Sequence, residues 1–217
     1  MAGAPAGGHP LANDGCRGLA LRDSVTFAGA RIDALVRCDG AVLTTRAPDA
    51  TRFGVAQVRR LLTVGALRVT HVVFAPASSR ALLLGLARLE NAGSELVAVE
   101  YTEIWDLPSG EYRVAPAACE RRFGGHVFAL AEASDATRAL APEAEPARGL
   151  ALDVTVALPP RAQRQLAFAY AALPDDEDTG ALVRAWRGQV PDELVRIGRS
   201  AASVEAYRER RRYPAPP

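Results

Sequence analysis

The amino-acid sequence predicts a mainly β protein, a large antiparallel β-sandwich (supersandwich) followed by C-terminal helices. Three observations carry this. Apolar residues recur at period two in successive segments between Leu67 and Tyr170, Gly, Pro and Asn clusters punctuate those segments, and the period lengthens to about 3.6 residues beyond Pro174. The expected division is a flexible leader over 1–18, a sandwich domain over 19–174 and a helical linker or tail over 175–217.

From Arg31 onward, apolar runs alternate with turn chemistry at Cys38-Asp39-Gly40 and Ala47-Pro48-Asp49. The clearest strand is 67–74, where Leu67, Val69, His71 and Val73 share one face and Ala75-Pro76 ends the run. Segment 80–90 fits either period, because Leu82, Leu83, Leu84, Leu86 and Leu89 cover both faces; a strand is chosen because Asn91-Ala92-Gly93 then turns into 96–105. In that next strand Val97, Val99, Tyr101, Glu103 and Trp105 share a face. Pro108-Ser109-Gly110 is a turn, and Phe123-Gly124-Gly125-His126 reads as a hairpin whose glycines supply positive φ before a strand at 126–131. Segment 133–148 reads as a surface excursion. Strict alternation then resumes at Leu150, Leu152, Val154, Val156 and Leu158, and again at Leu166, Phe168 and Tyr170. The expected total is about nine or ten strands.

Asp178 or Thr179 can cap a helix containing Leu182, Val183 and Trp186. Pro191-Asp192-Glu193 suits the first turn of a second helix, since proline has no N–H to lose there and carboxylates favour the positive end of the helix dipole. Its stripe of Leu194, Ile197, Ala201 and Val204 calls for a docking partner, either the sandwich itself, a catalytic barrel domain or a second copy in a homodimer.

Composition excludes several classes. The 217 residues are 49% apolar and 24% charged, within the globular range, and no segment approaches a membrane span. Twenty-six basic residues, all Arg, against 25 acidic ones leave a formal charge of +1, too little to favour nucleic acid. Arg208, Arg210, Arg211 and Arg212 complement the negative end of the last helix instead. Three scattered cysteines, Cys16, Cys38 and Cys119, argue for a reducing, cytoplasmic setting, and residues 1–14 lack the pattern of a signal peptide.

Neither a Gly-x-Ser-x-Gly elbow nor a phosphate-binding glycine loop is present, so no cofactor is expected. No metal site is expected either: His9, His71 and His126 are dispersed, Cys119 and His126 being the nearest Cys/His pair. Glycoside chemistry needs two carboxyl groups flanking one bond, and the candidates are Glu100, Glu103 and Asp106; Glu100 and Glu103 fall on opposite strand faces. Tyr101, Glu103 and Trp105 share a face that could stack on a carbohydrate ligand, although aromatics alternating on a strand more often form an inter-sheet core. No catalytic residue is assigned outright. His71 with Glu103 is the one acid–base pairing that a sugar epimerase could use.

Three segments carry a family resemblance: 69–76; the leucine-rich run closing in Leu89-Glu90-Asn91; and 97–107 with Tyr101-Thr102-Glu103-Ile104-Trp105. Leu158-Pro159-Pro160, the strand through Leu166-Ala167-Phe168-Ala169-Tyr170 and the helices after Thr179 complete it. Over 19–213 this order resembles the N-terminal galactose mutarotase-like sandwich and helical linker of (α/α)-barrel glycoside hydrolases and phosphorylases, the cellobiose phosphorylase group among them. The resemblance implies a non-catalytic accessory domain, since in those enzymes catalysis resides in the barrel. A stand-alone mutarotase-like epimerase and a carbohydrate-binding module are the competing expectations.

Overall fold

The computed structural model describes residues 20–21, 25–38, 41–42, 49–54, 57–76, 82–115, 118–134 and 149–212. The expected leader and the excursion after Ser134 lie outside the described residues. The described strands form two sheets, and every described strand pairing is antiparallel. The six-stranded sheet contains β1 (Ala20–Leu21), β2 (Val25–Phe27), β3 (Ala30–Cys38), β4 (Ala41–Val42), β9 (Val97–Asp106) and β13 (Leu150–Leu158). The eight-stranded sheet contains β5 (Ala50–Phe53), β6 (Gln57–Val64), β7 (Leu67–Phe74), β8 (Leu82–Asn91), β10 (Glu111–Ala115), β11 (Ala118–Phe123), β12 (His126–Glu132) and β14 (Gln163–Pro174). Its spatial order is β10-β11-β12-β14-β8-β7-β6-β5.

The leucine-rich run is a strand, as predicted, and it is apolar on both faces because both are covered. Leu83, Ala87 and Leu89 point into the inter-sheet core, whereas Leu82, Leu84 and Leu86 point outward under the helices. Asn91 ends β8 and ties the crossing into β9 to the end of β13: its Nδ2 donates to the carbonyls of Glu95 at 2.6 Å and Leu158 at 3.0 Å, and its Oδ1 accepts from Gly93 N at 2.9 Å. The β11–β12 hairpin has the predicted glycine turn, with φ of +59° at Gly124 and +73° at Gly125.

Helices α1 (Thr179–Arg184) and α2 (Val190–Arg212) follow β14. Asp178 is the cap of α1, its carboxylate accepting from Ala181 N at 2.7 Å. The helices lie on the outer face of the larger sheet, where Ala129, Ala131, Ala133, Ala167, Ala169 and Ala171 keep the surface low enough for close approach. Val183, Val190 and Ile197 are buried there, with Leu182, Trp186 and Leu194 partly buried beside them. Leu194 and Ile197, the first half of the stripe of the last helix, thus dock back on the sandwich of their own chain. Each fully buried aliphatic side chain contributes about 1.5 to 3 kcal/mol. The side chains of Ala201 and Val204 lie outside the described ones.

Among the described residues there are fourteen strands, more than the expected nine or ten. The additions include β1, β2, β4 and β5, runs of two to four residues that are too short to establish a period and become strands by pairing with longer neighbours.

Candidate functional site

In β9 the alternation of side chains places Val97, Val99, Tyr101, Glu103 and Trp105 inward. Tyr101, Glu103 and Trp105 are all 0% exposed, so the stripe that could have been a sugar platform is inter-sheet core. Trp105 stacks on Phe27 with centroids 5.3 Å apart and meets Phe128 and Tyr170 edge-on at 5.6 and 5.9 Å. Tyr101 stacks on Phe168 at 5.8 Å. The opposite sheet decides the matter: Phe128, Phe168 and Tyr170 of the larger sheet cover the face that Tyr101 and Trp105 present.

Glu103 is a carboxylate carried into that core, and its neighbours explain how it is held. His71, on the inward face of β7, lies with Nε2 2.9 Å from Glu103 Oε1. Tyr170 of β14 donates its hydroxyl to the same oxygen, and Tyr101 donates to Oε2. On the far side of the imidazole, Arg60 Nη2 is 2.7 Å from His71 Nδ1. Arginine can only donate, so Nδ1 accepts and Nε2 carries the proton given to Glu103. The chain of contacts then leads outward. Arg60 reaches the Ile32 carbonyl at 3.3 Å and Asp33 Oδ1 at 3.4 Å, and Asp33 is bridged by exposed Arg31. Exposure rises along this path, from 0% at the Glu103 side chain through 12% at Arg60 to 35% at Asp33.

His71 and Glu103, the one acid–base pairing singled out from the sequence, therefore do meet, inside the sandwich. Tyr170, Arg60 and Asp33 were missed. Two signals pointed to Tyr170 and Arg60, and none to Asp33. Gly85 interrupts the leucine-rich strand where a Cβ would lie 3.1 Å from the Tyr170 ring and hydroxyl, so the glycine makes room for that side chain. Arg60 sits between Val58 and Leu62 at inward positions of β6, a charge at apolar spacing.

The other candidates do not converge on this site. Glu100 faces out beside Arg37 at 3.5 Å, and Asp106 is on the same outer face, so neither forms a carboxyl pair with Glu103 across a shared opening. Cys119 is buried while His126 lies at the exposed end of the hairpin, with Nδ1 3.0 Å from the Gly124 carbonyl. Among the described residues no cluster of three or more His, Cys, Asp or Glu could hold a metal, and no helix is long and apolar enough to cross a membrane.

Burial pushes both tyrosine hydroxyls well above the ordinary value of 10.0, with the adjacent Glu103 charge adding to the effect. Burial likewise pushes the Cys119 thiol from 9.0 up to about 12. Because the folded protein holds these protons more tightly than the unfolded chain, their contribution is fully present below pH 9.0 and declines as pH rises, the thiol acting from 9.0 to about 12 and the tyrosines above 10.0. The expected result is an unfolding midpoint in urea that falls with pH above 9.0. Tyrosinate absorbance should show two of the five tyrosines ionising only as the fold is lost. Smooth ionisation of all five near pH 10.0 with unchanged circular dichroism would contradict it.

No protein-family model and no curated protein sequence matches this chain. Among solved structures, it is similar to a putative kojibiose phosphorylase from the human microbiome, with a TM-score of 0.43 and 7% identity over 78% of this chain and 25% of the other. The chain spans about a quarter of the length of that structure.

Proposed function

We propose that this chain is a non-catalytic accessory domain of a carbohydrate-active enzyme. The carrying observation is the enclosure of its acid–base group: Glu103 is fully buried, and His71, Tyr101 and Tyr170 already occupy its oxygens. A general acid or base must reach the proton it transfers, directly or through one water, and here the neighbours of the carboxylate are core side chains. The carbohydrate-active class is the one implied by the sequence resemblance, and a helical tail after a sandwich suits a module that packs beside a catalytic barrel. The reduced, buried thiol of Cys119 suits a cytoplasmic setting.

The meeting of His71 and Glu103 at 2.9 Å favours one second reading, a mutarotase-like epimerase in which the sandwich opens to admit a sugar. Polarimetry of freshly dissolved α-glucose and α-galactose separates the two. The accessory-domain reading expects the purified chain to leave anomer interconversion at the buffer rate, and His71→Asn to change nothing. Acceleration that disappears in His71→Asn would establish the epimerase instead.

A further inference from the structure

The hydrogen bonds around His71 settle where its proton sits as well as how the ring is turned. A guanidinium has no lone pair, so the 2.7 Å contact from Arg60 Nη2 exists only while Nδ1 is unprotonated. A second proton on the ring would set N–H against N–H and imidazolium against guanidinium. The Nε2 side would keep its contact, because Glu103 accepts there at 2.9 Å and is itself held by Tyr101 and Tyr170. Arg60 is the partner able to leave. It stands nearer to solvent, beside Asp33, whereas the imidazole is enclosed.

We propose that the Arg60–His71 contact is an acid-released latch between the two sheets: protonation of His71 expels Arg60 and frees β6 from β3. The latch joins the sheets because the same guanidinium that donates to His71 on the larger sheet also reaches the Ile32 carbonyl and Asp33 on the smaller one. The charged and titratable groups facing the imidazole are Arg60 from β6, Glu103 and Tyr101 from β9, Tyr170 from β14, and Asp33 with Arg31 behind Arg60 from β3. Ala87 and Gly85 of β8 add none. Of these groups, Glu103 holds the imidazolium in place while Arg60 opposes it. Acid therefore breaks the Arg60 side and leaves the core side joined. The part released is the β5–β6 end of the larger sheet, which is also its edge.

Amide hydrogen exchange, expressed as protection factors to remove the intrinsic pH dependence, tests the latch on the full chain. Compared at about pH 7.5 and about pH 5, protection of β6 amides should fall about tenfold in acid, while β12 and β14 keep theirs. In Arg60→Met there is no guanidinium to expel, and in His71→Gln no ring to protonate, so β6 protection should be the same at both pH values. Imidazole nitrogen chemical shifts at neutral pH provide a measurement that needs no variant, and should report the Nε2–H tautomer. Constant wild-type protection, an equal fall in Arg60→Met, or an Nδ1–H tautomer would each overturn the latch.

Discussion

Replacing Glu103 by Ala should lower the free energy of unfolding by about 3 to 5 kcal/mol, the range for removing one member of a buried charge network. The side chain is 0% exposed and accepts from His71, Tyr170 and Tyr101. Its loss strands three donors from three strands, β7, β14 and β9, and opens a hole between them. Water cannot readily replace the acceptor, because the site lies in the inter-sheet core, where Trp105 meets Tyr170 edge-on and Phe168 stacks on Tyr101. Unpaired buried donors cost about 1 to 3 kcal/mol each before relaxation. Glu103→Gln keeps one oxygen in place and should cost less, about 1 to 3 kcal/mol. Urea denaturation of the two variants checks the order. A loss below about 1 kcal/mol for Glu103→Ala would mean that the carboxylate is not the hub of the network.

That network also divides what was legible in the sequence from what was not. The long strands were legible because period two is a local property: β7 was predicted over its full span, and β8, β9, β12 and β13 within a residue or two at each end. The change of period after Pro174 announced the helices, and apolar residues on both faces of β8 foretold that both faces would be covered. What alternation cannot say is which face of a strand turns inward when both carry large or polar groups. Tyr101, Glu103 and Trp105 read more readily as core than as a sugar platform, but the matter is fixed only when the partner sheet is placed, and that depends on contacts between strands far apart in sequence, such as Tyr101 with Phe168. His71 and Glu103 could be nominated as a pair, being the histidine and carboxylate on two legible strands. Tyr170 reaches them across 67 residues and Arg60 reaches His71 from a strand whose period is broken by its own charge. The glycine at 85 was the local trace of this arrangement, since a glycine inside a strand asks which side chain needs its space.

Gly149→Ala should be the most disruptive change of a single hydrogen for a methyl group, costing about 2 to 5 kcal/mol from left-handed backbone strain and overpacking together. Gly149 has φ +57° immediately before β13, and a Cβ there would lie 1.8 Å from the Trp105 carbonyl oxygen and 2.5 Å from Leu107 N. Both obstacles are backbone, so no side-chain rotation relieves them. The end of β9 and the start of β13 would have to separate where Leu150 pairs with Trp105. Separation would also pull the Gly149 carbonyl from Arg121, whose buried guanidinium donates to it at 2.9 Å. Gly124→Ala supplies the comparison, because that residue has φ +59° and nothing within 4 Å of the added carbon. It should cost about 1 to 2 kcal/mol, the strain alone. Thermal or urea unfolding of the two variants isolates the steric part. Equal losses would show that the close approach of Gly149 to Trp105 does not constrain how β13 joins the sheet.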